Sequence, residues 1–130
     1  MLLKEFYNIL ESETLGKDAA YFKVELNPRH EIYMGHFPGN AVTPGVGLLQ
    51  IVKELLEFQL KIDLRLQDIT MLKFLTLVDP NENSELNFKL YYVQKDKLIK
   101  ANTETTLNNG NIVLKCNATF VETNLISNSN

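Results

Sequence analysis

The residues best suited to chemistry lie in the stretch Gly35-His36-Phe37-Pro38-Gly39-Asn40-Ala41-Val42-Thr43-Pro44-Gly45-Val46. His36 can act as a base, because a neutral imidazole near pH 7 accepts a proton without first losing a charge. A loop stiffened by Pro38 would fix its position. Thr43 followed by Pro44 is the order of an N-cap and a first helical residue. The amides of Gly45 and Val46 then fall in the first helical turn, unpaired by the helix and at the positive end of its dipole. They are suited to receive a carbonyl oxygen, and glycine at 45 would let a ligand approach the backbone closely. Gln50 and Glu54, four residues apart, share one helix face at about 6 Å. The set comprises a base, a pair of amide donors, and a polar pair able to orient a hydroxyl or a water.

These residues need elements to hold them. Residues 46–62, VGLLQIVKELLEFQLKI, form a helix roughly 25 Å long at the usual rise per residue. Gln50, Lys53, Glu54, Glu57 and Lys61 fall in a stripe of roughly 100°, and apolar residues cover most of the remaining circumference. Such a helix must be surrounded. The sequence offers a wrapper in YFKVEL (21–26), SELNFKLYYV (84–93), residues 98–107 and NIVLKCNATFVE, each alternating apolar and polar residues as half-buried strands do. ITMLKFLTLV (69–78) is apolar on both faces and reads as a central strand, and Asn108-Asn109-Gly110 signals a hairpin turn. Leu2, Leu3, Phe6, Ile9 and Leu10 stand at helical spacing, so residues 1–15 are expected to hold a short N-terminal helix. Residues 28–45 are loop with a short extended piece at Glu31–Met34, and the tail 123–130 is expected to fray. The whole, residues 1–130, is a single domain of the α+β class, an antiparallel sheet wrapped around a long central helix.

The stretch from Gly35 resembles the signature of the bacterial β-hydroxyacyl-acyl carrier protein dehydratases of the hot-dog fold: GHFP, two residues, Pro, two residues, PGV. The long helix and the later KFL…VDP…strand–strand–strand order are similar to that family too. The resemblance implies dehydration of a β-hydroxyacyl thioester to the enoyl thioester, as in fatty acid or related lipid biosynthesis, without a cofactor. That reaction needs a base for the proton alpha to the carbonyl, an acid for the leaving oxygen, and donors for the enolate-like oxygen. The resemblance gives His36 the role of base and the Gly45 and Val46 amides that of holding the thioester carbonyl. It makes Phe37 both a core plug and a wall of the acyl tunnel. It also implies dimers with the site between subunits, so that His36 of one chain faces the helix of the other. A homodimer or a trimer of dimers is expected.

The departures carry as much information. The family has Glu five residues after the PGV glycine and Gln one turn later; here the types are exchanged, as Gln50 and Glu54. Ala41 stands where the family has proline. An amide can orient a hydroxyl but cannot deliver a proton, and general acid–base help is worth about 10²–10⁴ in rate, or roughly 3–5 kcal/mol. Three readings follow. Glu54 serves as the acid, so that Gln50 with Glu54 handles the leaving hydroxyl. Alternatively, the chain is a weakly active or non-catalytic thioester-binding subunit that works with a partner. In the third, the site hydrolyses thioesters, with Gln50 orienting the water and Glu54 as base.

Composition excludes other classes. The net charge of −3 and pI near 5.4 argue against a nucleic-acid partner. A single cysteine excludes an internal disulfide and fits a reducing compartment. The N-terminus lacks a signal-peptide core, and nothing approaches the run of about 18 apolar residues that crosses a membrane. The chain is read as cytoplasmic. Cys116 belongs to an inward alternation and reads as a core residue, and His30, between Arg29 and Glu31, reads as solvated. Glu54 taken alone reads as a solvated or dimer-facing carboxylate. No spacing suggests a metal site. The thioester carrier is acyl carrier protein or coenzyme A; an acidic carrier protein would seek a basic patch, for which Lys53, Lys61, Arg65, Lys73, Lys95, Lys97 and Lys100 are available.

Overall fold

A computed structural model describes residues 5–33 and 42–123. Among them lie β1 (Tyr7–Thr14), β2 (Ala19–Leu26), a 3-10 turn at Glu31–Tyr33, α1 (Gly45–Leu60), β3 (Leu64–Phe74), β4 (Glu85–Lys95), β5 (Leu98–Leu107) and β6 (Ile112–Glu122). The strands form a six-stranded sheet in the order β1-β2-β4-β5-β6-β3, antiparallel at every pairing. One face of this sheet is curled around α1, as the α+β expectation required.

The alternations expected of β2, β4, β5 and β6 are the ones that fill the core. Phe22, Val24 and Leu26 from β2, Leu86, Phe88, Leu90 and Tyr92 from β4, and Ile99 and Ala101 from β5 are buried. Leu114, Cys116, Ala118 and Phe120 join them from β6. They meet Leu48, Ile51, Val52, Leu55 and Leu56 of the helix. The β5–β6 turn closes at Gly110, whose φ of 92° suits a residue without a Cβ. The helix ends at Leu60, two residues short of the expected end, because Lys61 adopts the left-handed conformation and donates its amide to the Glu57 carbonyl at 2.8 Å.

Three expectations are corrected. The N-terminal segment is an edge strand from Tyr7 to Thr14, not a helix within 1–15; residues 1–4 lie outside the described residues. Its apolar spacing is helical, yet the open edge of β2 offers a full ladder of backbone partners, from Tyr7 opposite Leu26 to Thr14 opposite Ala20. Second, β3 is the opposite edge of the sheet, not its centre. Leu66 and Phe74 of β3 are exposed, and so are Leu75 and Leu77 in the segment that follows it, Leu77 at 79%. Third, Glu31–Tyr33 is a 3-10 turn, not an extended piece. His30 anchors it: Nδ1 accepts the Ile32 amide at 3.0 Å, and the ring stands edge-on to Phe6 at 5.3 Å, so His30 is half-buried and packed, not merely solvated. Of the expected frayed tail, Thr123 still donates its amide to the Asp63 carbonyl at 2.9 Å; 124–130 lie outside the described residues.

Candidate active site

The helix start is built without a side-chain cap. Pro44 occupies the N-cap position, with φ −64° and ψ 142°, rather than the first helical turn. Thr43, the expected cap, spends its hydroxyl on the Tyr33 hydroxyl at 3.0 Å, and its amide on the Val78 carbonyl at 2.8 Å. Those two bonds tie the approach to the helix into the core. The Pro44 carbonyl accepts from Gly47 at 3.0 Å and from Leu48 at 3.2 Å. Among the described residues, the Gly45 and Val46 amides have no acceptor, and Val46 is 73% exposed. They are the open donors anticipated at the positive end of the helix.

Gly45 is glycine for a reason the sequence did not reveal. A Cβ placed there would lie 2.6 Å from Cζ of Phe74 and 2.7 Å from its Cε1. The Phe74 ring, at the end of β3, lies against the helix start. The close approach thus belongs to a side chain of the same molecule.

One turn into the helix, Gln50 donates from Nε2 to Oε2 of Glu54 at 2.8 Å. The pair meets as the helical spacing predicted. Glu54 itself is 8% exposed, which corrects the reading of a solvated carboxylate. Its other oxygen, Oε1, accepts the Tyr7 hydroxyl at 2.8 Å. Taking a carboxylate out of water is costly unless its oxygens are hydrogen-bonded, and here both are. Tyr7 is the part of this cluster that sequence reasoning missed. It lies 47 residues from Glu54, in a segment whose spacing reads as helical, and no local signal links the two. Burial first, then the bond to Glu54 and the negative charges of Glu54 and Glu57, push the Tyr7 phenol far above its ordinary range. The hydroxyl therefore stays a donor. One turn further, Glu57 accepts the Leu64 amide at 2.8 Å and pairs with Lys53 at 3.3 Å, tying the helix to β3.

His36 and Phe37 lie outside the described residues. Cys116 is 1% exposed, and burial pushes its thiol up, as suits a core residue. Among the described residues, no group of His, Cys, Asp and Glu has the arrangement of a metal site, and no helix is long and apolar enough to cross a membrane.

The arrangement is open amides at a helix start, with an amide–carboxylate pair one turn along. The model of the ApeI-like family, described as the ApeI dehydratase, matches residues 12–111 of the chain. The chain belongs to the ApeI-like dehydratases. The match spans Gly45, Val46, Gln50 and Glu54, whereas Tyr7 precedes it. Among solved structures, the chain is similar to the dehydratase heterocomplex ApeI:P from Xenorhabdus doucetiae, at 21% identity and a TM-score of 0.73, over 88% of this chain and 96% of that one. It is also similar to a hypothetical thioesterase with coenzyme A from Streptococcus pneumoniae TIGR4, at 18% identity and a TM-score of 0.65, over 94% and 89% of the two chains. A third is smu.793 from Streptococcus mutans UA159, bound to acetyl-CoA, at 12% identity and a TM-score of 0.64, over 89% of each. At such identities the likeness is one of fold, and the fold is the hot-dog. No curated protein matches the chain significantly. The dehydratase resemblance read from the GHFP signature is thus met at the level of the ApeI-like family.

Proposed function

We propose that this ApeI-like protein dehydrates β-hydroxyacyl thioesters, carried by acyl carrier protein, to trans-2-enoyl thioesters in fatty acid or related lipid biosynthesis. The thioester carbonyl accepts from the Gly45 and Val46 amides, where developing negative charge is stabilised by donors already in place. His36 takes the proton alpha to the carbonyl, and Phe37 walls the acyl chain. The electron pair of the broken C–H bond forms the new double bond, and the β C–O bond breaks. The hydroxyl, oriented by Gln50, leaves as water with the proton that Glu54 carries in its protonated form, directed at the substrate while both oxygens still accept from Tyr7 and Gln50, and passed directly or through a bridging water. No cofactor takes part. The observation that carries this reading is the buried Glu54 carboxyl with donors on both oxygens, one turn from the open amides. Tyr7 and Gln50 are positioned to stabilise the charge that proton release leaves on Glu54.

The carrier and the assembly belong to the same proposal. Coenzyme A is the alternative carrier, since two of the similar structures hold coenzyme A or acetyl-CoA. The exposed apolar side chains of Leu66 on the β3 edge and of Leu75 and Leu77 just beyond it, together with Val46 at the helix start, support a homodimer that covers them, or a trimer of dimers. A protein of this kind works in the cytoplasm. Gln50, where the related signature has its acid, favours a second reading: a weakly active subunit that works beside a partner chain, a reading supported by the similar ApeI:P structure being a dehydratase heterocomplex. Hydrolysis of acyl thioesters is the third.

The test is conversion of a β-hydroxyacyl-carrier thioester to the enoyl product, with sedimentation to give the assembly. Turnover lost in both His36→Ala and Glu54→Gln supports the dehydratase reading. Turnover absent from the wild type and gained in Gln50→Glu supports the weakly active subunit. Release of free thiol marks a thioesterase.

A further inference from the structure

We propose that Tyr7 is a positioning residue: through Glu54 it fixes which end of the Gln50 amide meets the substrate, so that the site presents an acceptor selective for a β-hydroxyl over a β-carbonyl. The inference rests on the dehydratase reading for the identity of the substrate, and on the side-chain geometry for the rest.

A carboxylate oxygen that holds a hydrogen bond from an amide must face the NH2 end of that amide. With Nε2 of Gln50 donating to Oε2 of Glu54 at 2.8 Å, the amide cannot rotate by a half-turn without setting two acceptors against each other. Its Oε1 is therefore the group directed away from Glu54, on a side chain that is only partly buried. Glu54 in turn is held by the Tyr7 hydroxyl on its other oxygen. Tyr7 is itself fixed. The chain before it is pinned by Asn27, whose Nδ2 donates to the Glu5 carbonyl at 2.9 Å and whose amide donates to the Phe6 carbonyl at 2.8 Å. Phe6, fully buried, packs edge-on against the Tyr7 ring at 6.4 Å and in a tilted contact against the Tyr33 ring at 5.9 Å. Tyr33 carries the hydrogen bond to Thr43 just before the helix start. The edge strand and the two ends of the site are thus one packed unit.

An acceptor in that place distinguishes substrates. A β-hydroxyl donates to Oε1, whereas a β-carbonyl brings a second acceptor and leaves both unsatisfied. The discrimination depends on the amide having a single orientation. Without the Tyr7 hydroxyl, the carboxylate can turn toward water, and the amide is released to present either end.

The experiment has two readouts on the full chain. One is the pair of Gln50 side-chain amide proton resonances by NMR. The other is the ratio of affinities, by calorimetry, for the pantetheine thioesters of β-hydroxybutyrate and of acetoacetate. In Tyr7→Phe the Gln50 amide protons are expected to lose their protection from exchange, and the affinity ratio to fall about tenfold, the equivalent of one hydrogen bond. Resonances that stay unchanged in a folded Tyr7→Phe overturn the proposal, and so does an unchanged ratio. Should Tyr7→Phe fail to fold, Glu54→Gln gives the same test, since a neutral amide at 54 accepts Gln50 in either orientation. A wild type that binds neither thioester defeats the dehydratase reading and with it the selective acceptor. The Gln50 resonances then decide by themselves whether Tyr7 orients the amide.

Discussion

The ring of Phe74 occupies the space that a side chain on Gly45 would need, its Cζ 2.6 Å from where a Cβ would stand. The last residue of an edge strand thereby sets the residue type at the first position of the helix. Gly45 carries one of the two open amides of the candidate site, so the ring lies against the helix start that presents them. Phe74 is 49% exposed, so its far end can swing outward. Gly45→Ala is therefore expected to cost only about 1 kcal/mol, at the low end for overpacking, where a buried ring would cost more. Gly45→Ala combined with Phe74→Ala should remove that clash, giving a coupling measurable by urea unfolding of the full double-mutant cycle. Equal costs for Gly45→Ala with and without Phe74 would refute the contact.

The Tyr7–Glu54 bond predicts a characteristic asymmetry. Tyr7→Phe leaves one carboxylate oxygen without its donor, and Glu54→Leu leaves a buried phenol without its acceptor. Each should destabilise the fold by about 1–3 kcal/mol. Replacing both, as Tyr7→Phe with Glu54→Leu, should cost less than the two single changes added together, because the pair is then apolar throughout. Chemical denaturation of the four proteins reads this directly; additive costs would mean that the bond contributes nothing.

Alkaline pH should weaken the fold through the same phenol. Tyr7 is held well above the ordinary 10.0 in the folded chain, and burial also raises Tyr33 and Tyr21. An unfolded phenol loses its proton as pH rises through about 10, while the folded one retains it. The unfolded state is then favoured by deprotonation, so the stabilisation is complete below pH 10 and falls progressively above it. Thermal midpoints measured from pH 8 to 11 should decline at the alkaline end. The decline should be shallower in Tyr7→Phe, measured against that variant's own midpoint at pH 8.

Cys116 gives a probe of the core. It is 1% exposed and its thiol is pushed up by burial, so thiolate is scarce and screened from reagents. Alkylation in the native protein is expected to be slow, and to accelerate sharply once urea unfolds the chain. Rapid modification of the folded protein would argue against the burial of the inward face of β6.

Much of this architecture is written in local pattern. Strict alternation makes β2, β4, β5 and β6 legible because a strand facing one core repeats every two residues, and the Asn-Gly turn between β5 and β6 is a two-residue signal. The helix is legible for the same reason, and its period alone places Gln50 and Glu54 on one face. The open amides of Gly45 and Val46 follow from Pro44 and the direction of the chain. Tertiary structure decides what depends on neighbours distant in sequence. The apolar spacing of residues 2–10 is helical, yet the free edge of β2 draws Tyr7–Thr14 into a strand. The apolar run of β3 suits a central position, yet the strand order, with β6 as its one partner among the described strands, leaves it at the edge. Glu54 reads as an exposed helix carboxylate until Tyr7, 47 residues away in sequence, is brought against it to bury and bind it. Periodicity is a property of consecutive residues, and hence readable along the chain; the protonation, orientation and burial of a polar group are set by whatever the fold brings against it.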